Sequence, residues 1–233
     1  MCGQAADPDE LYRNREQPGS VERAAEIWSA RAAPGRDFEA FWKLARACYW
    51  IGTRGPDAAR RPALDRGVRA AEEAARLQPG RPEGHFWMAA NMGRLGESYG
   101  VVQGLKYRGR VKQELERVLS IDPAWQQGSA DRALGVWYFK VPGLFGGSRA
   151  KAQDHLRRAL GYNSKSTATL YFLAEVLLAD KKTAEARALL QQVLDAPLDP
   201  EWAPEDREFK RLAGRLLNVG TVGRVGTVEE PKV

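Results

Sequence analysis

The sequence has few of the residues on which most protein chemistry depends. It contains only two cysteines and two histidines among 233 residues. Two cysteines are too few for a disulfide framework. His85 and His155 are far apart in the chain, and neither has a cysteine or histidine at metal-ligand spacing. The sequence also has no Gly-x-Ser-x-Gly motif and no Cys/His dyad. We therefore expect no metal, no cofactor and no enzyme activity.

Long apolar runs are absent as well. The uninterrupted apolar stretches are only a few residues long, far short of the roughly 20 residues that a helix needs to cross a bilayer. The formal net charge is +6, but lysine and arginine alternate with aspartate and glutamate along nearly every segment. The sequence therefore lacks a contiguous basic track for nucleic acid. We expect a soluble chain with a solvated surface and no nucleic-acid partner.

The two cysteines have different surroundings. Cys48 follows aromatic and small residues at helical spacing, which predicts a buried structural thiol. Cys2 is followed by Gly3, Gln4 and a polar stretch, as at the start of a mature bacterial lipoprotein whose signal peptide has been replaced by Met1. No charged or apolar leader precedes it. Cys2 is therefore a candidate lipid anchor, and a plain thiol is the alternative.

Helical periodicity dominates the sequence. Apolar residues recur at spacings of three and four, with glycine, asparagine or proline at almost every join. We expect about ten helices, between Ser20 and Pro34 and then over residues 37–52, 62–77, 82–96, 100–121, 124–140, 148–162, 165–179, 182–195 and 204–218. Residues 1–19 are expected to be a flexible segment, and residues 219–233 a flexible tail with a short added strand as the alternative. The domain then spans residues 20–218.

Paired helices joined by short turns recur with a period near 34 residues. With Thr167 as the first position of a unit, the apolar residues at the tetratricopeptide pattern positions are Leu170, Leu173, Ala174, Leu177, Ala186, Leu190 and Val193. The preceding unit repeats Ala152, Leu156 and Ala159 at the same mutual spacing. A further unit starts near Pro82, and its over-long second helix is the long central helix of the chain. The expected fold is all-α, a tetratricopeptide-like solenoid of helical hairpins that binds other molecules on a concave face.

A glycine-rich loop is inserted between the two helices of the third unit. It reads Val141-Pro142-Gly143-Leu144-Phe145-Gly146-Gly147-Ser148 and leads directly into the next helix. A phosphate-binding loop would need a preceding strand and a Gly-Lys-Ser/Thr ending, and both are missing. The valine, leucine and phenylalanine are too apolar for a solvent-facing linker, so we expect an ordered, well-packed segment. Phe145 is then either buried or exposed beside a binding groove.

This loop is the most specific part of a resemblance to one family. Together with the stretch at 85–91, the over-long helix ending at 123 and the turn at 200–206, it resembles the T-component of tripartite ATP-independent periplasmic (TRAP) transporters. The resemblance implies a periplasmic lipoprotein of degenerate tetratricopeptide hairpins, trimeric in some members, that associates with a periplasmic solute-binding protein. It also implies an apolar ligand channel, so a carrier of a small hydrophobic ligand is the alternative function.

Aromatic residues cluster in the middle third of the chain. Such residues usually fill helical interiors, but tyrosine and tryptophan also anchor binding grooves. The candidate ligand- or partner-binding residues are Trp87, Asn91, Tyr99, Tyr107, Trp137, Tyr138, Val141, Pro142 and Phe145. The basic side chains of the long central helix form a solvated face or, alternatively, a patch for an acidic partner or an anionic membrane surface.

Overall fold

In a computed structural model, residues 6–99 and 101–222 of the chain are described. The α-helices in this part of the chain are α1 (Pro8–Arg13), α2 (Ser20–Ala32), α3 (Phe38–Arg54), α4 (Asp57–Leu77), α5 (Pro82–Ser98), α6 (Val101–Ile121), α7 (Trp125–Lys140), α8 (Arg149–Tyr162), α9 (Thr167–Ala179), α10 (Thr183–Asp195) and α11 (Ala203–Val222). No strand occurs in the described residues, and the expected all-α class is confirmed.

The helices begin where the local sequence provides caps. The carboxylate of Asp37 and the hydroxyl of Ser148 accept hydrogen bonds from backbone N–H groups in the first turns of α3 and α8. Helix α4 begins at Asp57, earlier than the expected start at Pro62. An ion pair between Arg60 and Asp57 (2.8 Å) spans this added first turn. The other helix bounds differ from the expected ones by a few residues at most, apart from the longer C-terminal end of α11.

Helix α1 lies inside the segment that the sequence predicts to be flexible, so the structure differs from that expectation over residues 8–13. Tyr12 is buried, with its ring centroid 6.0 Å from that of Trp28. The guanidinium of Arg46 lies 4.0 Å from the centroid of the Tyr12 ring. The ammonium of Lys43 lies 2.8 Å from the Asp9 carboxylate. These partners are distant in sequence, which is why the polar composition of the segment does not reveal the helix.

The chain divides into two compact units, Met1–Trp137 and Tyr138–Val233, where the sequence predicts one domain over residues 20–218. Unit 1 contains α1 to α6 and the greater part of α7. Unit 2 contains the last turn of α7 and helices α8 to α11. Of the expected tail, residues 219–222 belong to α11, and residues 223–233 lie outside the described part of the chain.

Unit 2 contains the regular repeat. Helix α8 packs against α9, α9 against α10, and α11 against both α9 and α10. The pattern positions that the sequence identifies are all buried, with no side chain more than 3% exposed; they are Ala152, Leu156, Ala159, Leu170, Leu173, Ala174, Leu177, Ala186, Leu190 and Val193. Because alanine alternates with larger residues at these positions, adjacent helices can approach closely. The expected tetratricopeptide packing is confirmed.

Unit 1 has a more aromatic core. Its consecutive helices α1 to α6 pack in sequence, and α3 also packs against α5, as expected for stacked hairpins. Trp28, Trp87 and Cys48 are all buried in this core. Burial raises the pKa of the Cys48 thiol to about 12, so the thiol is neutral and poorly nucleophilic. Cys48 is thus the structural thiol that its sequence surroundings predict.

Helix α7 contains a left-handed turn near its start. Gln126, Gln127 and Gly128 have φ angles of 44°, 58° and 73°. This conformation costs roughly 1–2 kcal/mol for each non-glycine residue. The Ser129 hydroxyl donates to the Trp125 carbonyl (3.2 Å) across the turn. The helix is therefore kinked before its second half, a feature that apolar periodicity does not predict.

Candidate binding surfaces

The glycine-rich loop of unit 2 is ordered by backbone hydrogen bonds. Residues Gly143–Phe145 form a single 3-10 turn, in which the Phe145 amide donates to the Pro142 carbonyl at 2.8 Å. The Ser148 amide donates to the Tyr138 carbonyl at 2.8 Å. The end of the loop is thereby joined to the last turn of α7. The loop follows a closed and compact path, which is the ordered backbone that the sequence predicts.

Two glycines determine the shape of this loop. A Cβ atom at Gly147 would lie 1.7 Å from the Val141 carbonyl oxygen, far inside van der Waals contact. Gly146 follows the 3-10 turn with a φ of 100°, in the region that favours glycine. The chain can therefore fold back on itself here only with a residue that lacks a side chain.

The apolar side chains of the loop do not pack as expected. Leu144 is 90% exposed and Phe145 is 39% exposed, while Val141 is half-buried and Pro142 is exposed. The prediction of a well-packed segment is therefore wrong for the Leu144 side chain, and of the two alternatives for Phe145 the structure rules out burial. The physical reason is that the backbone hydrogen bonds keep the loop compact, so that it does not depend on burial of these two side chains. We call Leu144 and Phe145 the apolar tip.

Tyr138, the other candidate residue of unit 2, serves packing. It is 7% exposed and its ring is stacked on that of His155, with the centroids 5.3 Å apart. The ammonium of Lys151 lies 5.4 Å from the Tyr138 ring centroid. Tyr138 thus packs the last turn of α7 against α8 and offers little surface to a ligand.

Two candidate residues of unit 1 are buried in its core. Trp87 is 3% exposed and Asn91 is fully buried. The Asn91 side-chain amide donates to the carbonyls of Ala45 (3.1 Å) and Trp87 (2.7 Å). A Cβ atom at Gly67 would come within 2.3 Å of the Asn91 side-chain oxygen. Asn91 therefore links α5 to α3 and lies tightly against α4, and its contacts are those of a structural residue.

The remaining aromatic candidates of unit 1 are partly accessible. Tyr99, Tyr107 and Trp137 border the hydrophobic core. The indole N–H of Trp137 donates to the Arg108 carbonyl at 3.1 Å. The guanidinium of Arg61 lies 5.3 Å from the Tyr99 ring centroid. These three side chains combine an apolar face with an accessible edge, as binding residues of this type require.

An open groove with a volume of about 400 Å³ lies between α4, α5 and α6. Its lining residues are Asp65, Val68, Arg69, Glu72, Met92, Lys106, Tyr107 and Arg110. Arg110 lies 3.4 Å from both Glu72 and Glu114, so acidic neighbours offset part of the basic face of α6. The groove is amphipathic, and one of its lining residues, Tyr107, is also a binding candidate identified from the sequence.

An ion pair in unit 1 joins two residues that the sequence does not connect. His85 Nδ1 lies 2.7 Å from the Glu114 carboxylate, and His85 Nε2 lies 3.1 Å from the Pro79 carbonyl. The hydrogen bond to Glu114 raises the pKa of His85 although burial opposes it. Burial tends to raise the pKa of Glu114, but the hydrogen bond and charge of His85, with the charge of Arg110, lower it. The pair therefore favours the charged forms and joins α5 to α6.

Arg132 is a second residue that the sequence does not single out. It lies on α7 after the left-handed turn and is half-buried. Burial lowers the pKa of its guanidinium, and the nearby Tyr49 partly opposes this effect. Within the described residues, no carboxylate forms an ion pair with Arg132 and no acceptor binds its N–H groups. No Arg132 nitrogen is among the buried side-chain atoms of the described residues that lack a hydrogen-bond partner, so the half-buried guanidinium keeps contact with solvent.

Two further features concern metals and membranes. Over residues 6–99 and 101–222, no group of three or more histidine, cysteine, aspartate or glutamate side chains could hold a metal ion. No helix in that part of the chain is both long and apolar enough to cross a bilayer. The candidate lipid anchor, Cys2, lies outside the described residues.

The helical hairpins place the chain in the class of tetratricopeptide-like all-α proteins. A crystal structure of a thermophilic tetratricopeptide protein from Thermus thermophilus is similar, with a TM-score of 0.68. The similarity covers 90% of this chain and 97% of that chain, at 19% sequence identity. At this identity the similarity shows the fold alone.

The family follows from the sequence of the same region. A family model of the TRAP transporter T-component matches residues 68–216, and the chain belongs to this family. The resemblance carried by the glycine-rich loop is thereby confirmed. A relative from Caenorhabditis elegans, regulator of microtubule dynamics protein 1, is 24% identical over 214 residues, which cover 82% of this chain and 89% of that protein.

Proposed function

We propose that the protein is a non-catalytic binding component on the periplasmic side of a TRAP-type transporter. Its role is to hold a protein partner, the periplasmic solute-binding protein, near the membrane. Family membership supports the transporter context, and the helical-hairpin fold supports a role in binding. Attachment to the membrane through a lipid on Cys2 and assembly into a homotrimer belong to this proposal.

The apolar tip is the observation that carries the proposal. Leu144 is 90% exposed, yet it lies on a loop whose backbone is fixed by hydrogen bonds and by a close approach at Gly147. A large apolar side chain on an ordered loop loses little conformational entropy when a partner covers it. The tip therefore has the two properties of an interface anchor, exposed apolar area and a fixed position.

The experiment compares a double variant, Leu144→Ala with Phe145→Ala, with a control, Leu198→Ala. Leu198 is also an exposed apolar residue of unit 2, at 42%, and lies outside the loop. Binding to a purified periplasmic solute-binding protein of a TRAP-type transporter from the same organism is measured by calorimetry. We expect the double variant to raise the Kd about tenfold or more, since truncating interface anchors costs about 2 kcal/mol or more. The control should bind like the wild type, and unchanged binding by the double variant would refute the proposal.

A second candidate function is transport or storage of a small hydrophobic ligand in unit 1. The observation that favours it is the set of partly accessible aromatic rings, Tyr99, Tyr107 and Trp137, beside an amphipathic groove. Native mass spectrometry of protein purified without detergent should then reveal a bound compound of low mass. The same spectrum after organic extraction and refolding provides the control. Protein of bare polypeptide mass in both samples would count against a carrier.

A further inference from the structure

The end of unit 2 that carries the apolar tip is also basic. Lys140 directly precedes the glycine-rich loop, and Lys151 lies in the first turn of α8, which follows the loop. Lys181 and Lys182 connect α9 to α10. All four lysines are exposed, and no carboxylate forms an ion pair with any of them in the part of the chain that the structure describes. We call these four residues the lysine cluster.

Side-chain contacts hold the turn between α9 and α10 beside the start of α8. The Arg149 guanidinium donates to the Ala179 carbonyl at 2.7 Å and lies 3.1 Å from the Asp180 carboxylate. The Gln153 amide donates to the same carboxylate at 2.6 Å. Because Arg149 immediately follows the glycine-rich loop, these contacts bring the two lysines of the turn to the end of unit 2 that carries the apolar tip.

Helix stability does not explain the lysine cluster. Lys151 lies in the first turn of α8, and Lys182 is the N-cap residue of α10, where a positive charge opposes the helix dipole. Lys181 has a φ of 60°, the left-handed conformation that favours glycine at the end of a helix. The acidic residues that follow on the same two helices, Asp154 and Glu185, offset only part of this charge. The lysines therefore serve another role.

The apolar tip and the lysine cluster together match the pattern of a protein interface. In such interfaces a central apolar anchor supplies most of the binding energy, whereas charges at the rim set the rate of association and exclude unsuitable partners. Leu144 and Phe145 have the exposure of an anchor, and the four lysines carry charge of a single sign beside it. A partner that matches both features must present an apolar pocket and negative charge around it.

We infer that the protein partner receives the apolar tip in an apolar pocket rimmed by aspartate or glutamate, and that the lysine cluster contacts this acidic rim. This inference rests on the proposed docking at the apolar tip and specifies the chemistry of the partner surface. It is independent of the carrier function in unit 1.

The test measures binding of the full chain to a purified periplasmic solute-binding protein of a TRAP-type transporter from the same organism. Calorimetry gives the Kd and stopped-flow fluorescence the association rate constant, at ionic strengths of about 10 mM and about 150 mM. The lysine variant is Lys151→Gln with Lys182→Gln. The matched control is Arg157→Gln with Lys165→Gln, which changes the net charge equally at two exposed residues of unit 2. The double variant of the apolar tip is measured in parallel.

At the lower ionic strength we expect the lysine variant to raise the Kd about fivefold, mainly through slower association. The difference from the wild type should shrink at the higher ionic strength, because salt screens the charges. The control should bind like the wild type, and an equal loss in the control would overturn the inference, since net charge alone would then explain it. A lower urea unfolding midpoint in the lysine variant would also overturn it, because the lysines would then serve the fold.

The two variants distinguish this inference from the proposed docking. Weak binding by the tip variant together with wild-type binding by the lysine variant would overturn the inference and leave docking at the tip intact. Wild-type binding by both would refute docking and the inference with it. Sedimentation with phosphatidylglycerol vesicles tests a membrane surface instead. If the lysine variant lost vesicle binding but bound the solute-binding protein normally, the lysine cluster would belong to an anionic membrane contact and the inference would be wrong.

Discussion

The two units treat buried polar groups differently. In unit 2, the Asp206 carboxylate accepts hydrogen bonds from the Thr167 hydroxyl and the Asp199 amide, and the Gln153 amide donates to Asp180 at 2.6 Å. In unit 1, buried side-chain atoms without a hydrogen-bond partner occur in Trp28, Arg46, Trp87, Asn91, Arg94 and Gln126. Within the described residues, unit 2 has no such atom.

This difference indicates that unit 2 is optimised for packing and that unit 1 is not. The regular repeat of unit 2 meets the requirements of a stable helical core from periodicity to hydrogen bonding, apart from Lys181 between α9 and α10, whose φ is 60°. Unit 1 retains unpaired donors and a strained turn, which lower stability and are found most often where a protein binds something. This difference supports our proposals of a ligand site in unit 1 and of a docking loop on an otherwise structural unit 2.

The largest expected effects do not distinguish the units, because apolar burial is similar in both. Leu64 in unit 1 and Leu156 in unit 2 are both fully buried. We expect Leu64→Ala and Leu156→Ala each to lower the free energy of unfolding by about 2–5 kcal/mol, the range for cavity-forming substitutions. Urea unfolding provides the measurement. A loss below about 1 kcal/mol at either site would mean that the core of that unit is loosely packed. The two units could then not be compared by their polar groups alone, because their apolar cores would also differ.

The His85–Glu114 pair is a polar contact of unit 1 in which both partners are satisfied. The raised pKa of His85 adds stability that is complete below the ordinary value of 6.5 and is lost as the pH rises through the folded-state pKa. The lowered pKa of Glu114 adds stability above its ordinary value of 4.5 that is lost as the pH falls. The contribution is therefore largest between these values, at about 1.5–3 kcal/mol for a charged hydrogen bond.

The measurement is the free energy of unfolding from about pH 5 to pH 9, for the wild type and for His85→Gln. The wild type should lose stability above pH 6.5, and the variant should lack this decline. His155→Gln, which alters the other histidine of the chain, should keep it. A decline of equal size in His85→Gln would show that other groups cause it.

A smaller effect is expected in the docking loop of unit 2. Gly147→Ala places a Cβ atom 1.7 Å from the Val141 carbonyl oxygen, whereas Gly143 has open space around it. We expect Gly147→Ala to cost on the order of 1–3 kcal/mol through backbone displacement and also to weaken partner binding, because the apolar tip moves. Gly143→Ala should change stability by less than about 0.5 kcal/mol. If both variants bound the partner as well as the wild type, the geometry of the loop would be irrelevant to docking.

The sequence predicts the regular repeat of unit 2 well and the special features of unit 1 poorly. The burial of Leu156, Leu170 and Leu177 follows from local periodicity, because a helix that must bury one face repeats apolar residues every three or four positions. The helix around Tyr12 is missed, since its stability comes from contacts with Trp28 and other residues far along the chain. Local propensity contains no information about such tertiary contacts.

The candidate sites show the same limit. Aromatic composition identifies both Trp87 and Tyr107 as binding candidates. It does not indicate that Trp87 is buried and that Tyr107 lines a groove. Phe145 is apolar and lies in a glycine-rich loop, and composition alone does not decide which side of the loop faces solvent. Arg132 has no sequence signal, because arginines are common on helices. Only the tertiary structure shows that this arginine has no partner within the described residues.

The most direct test compares the stability of two variants that each remove a charged group, the buried Asp206 of unit 2 and the half-buried Arg132 of unit 1. Asp206→Ala in unit 2 leaves the Thr167 hydroxyl and the Asp199 amide without their acceptor, so we expect a loss of about 1–3 kcal/mol in urea unfolding. Arg132→Met in unit 1 removes a charge that has no partner among the described residues, so the free energy of unfolding should stay the same or rise. Opposite responses would confirm that polar groups in unit 2 stabilise the fold and that Arg132 in unit 1 does not. A similar loss in both variants would contradict the account, because Arg132 would then be as well satisfied in the folded protein as Asp206.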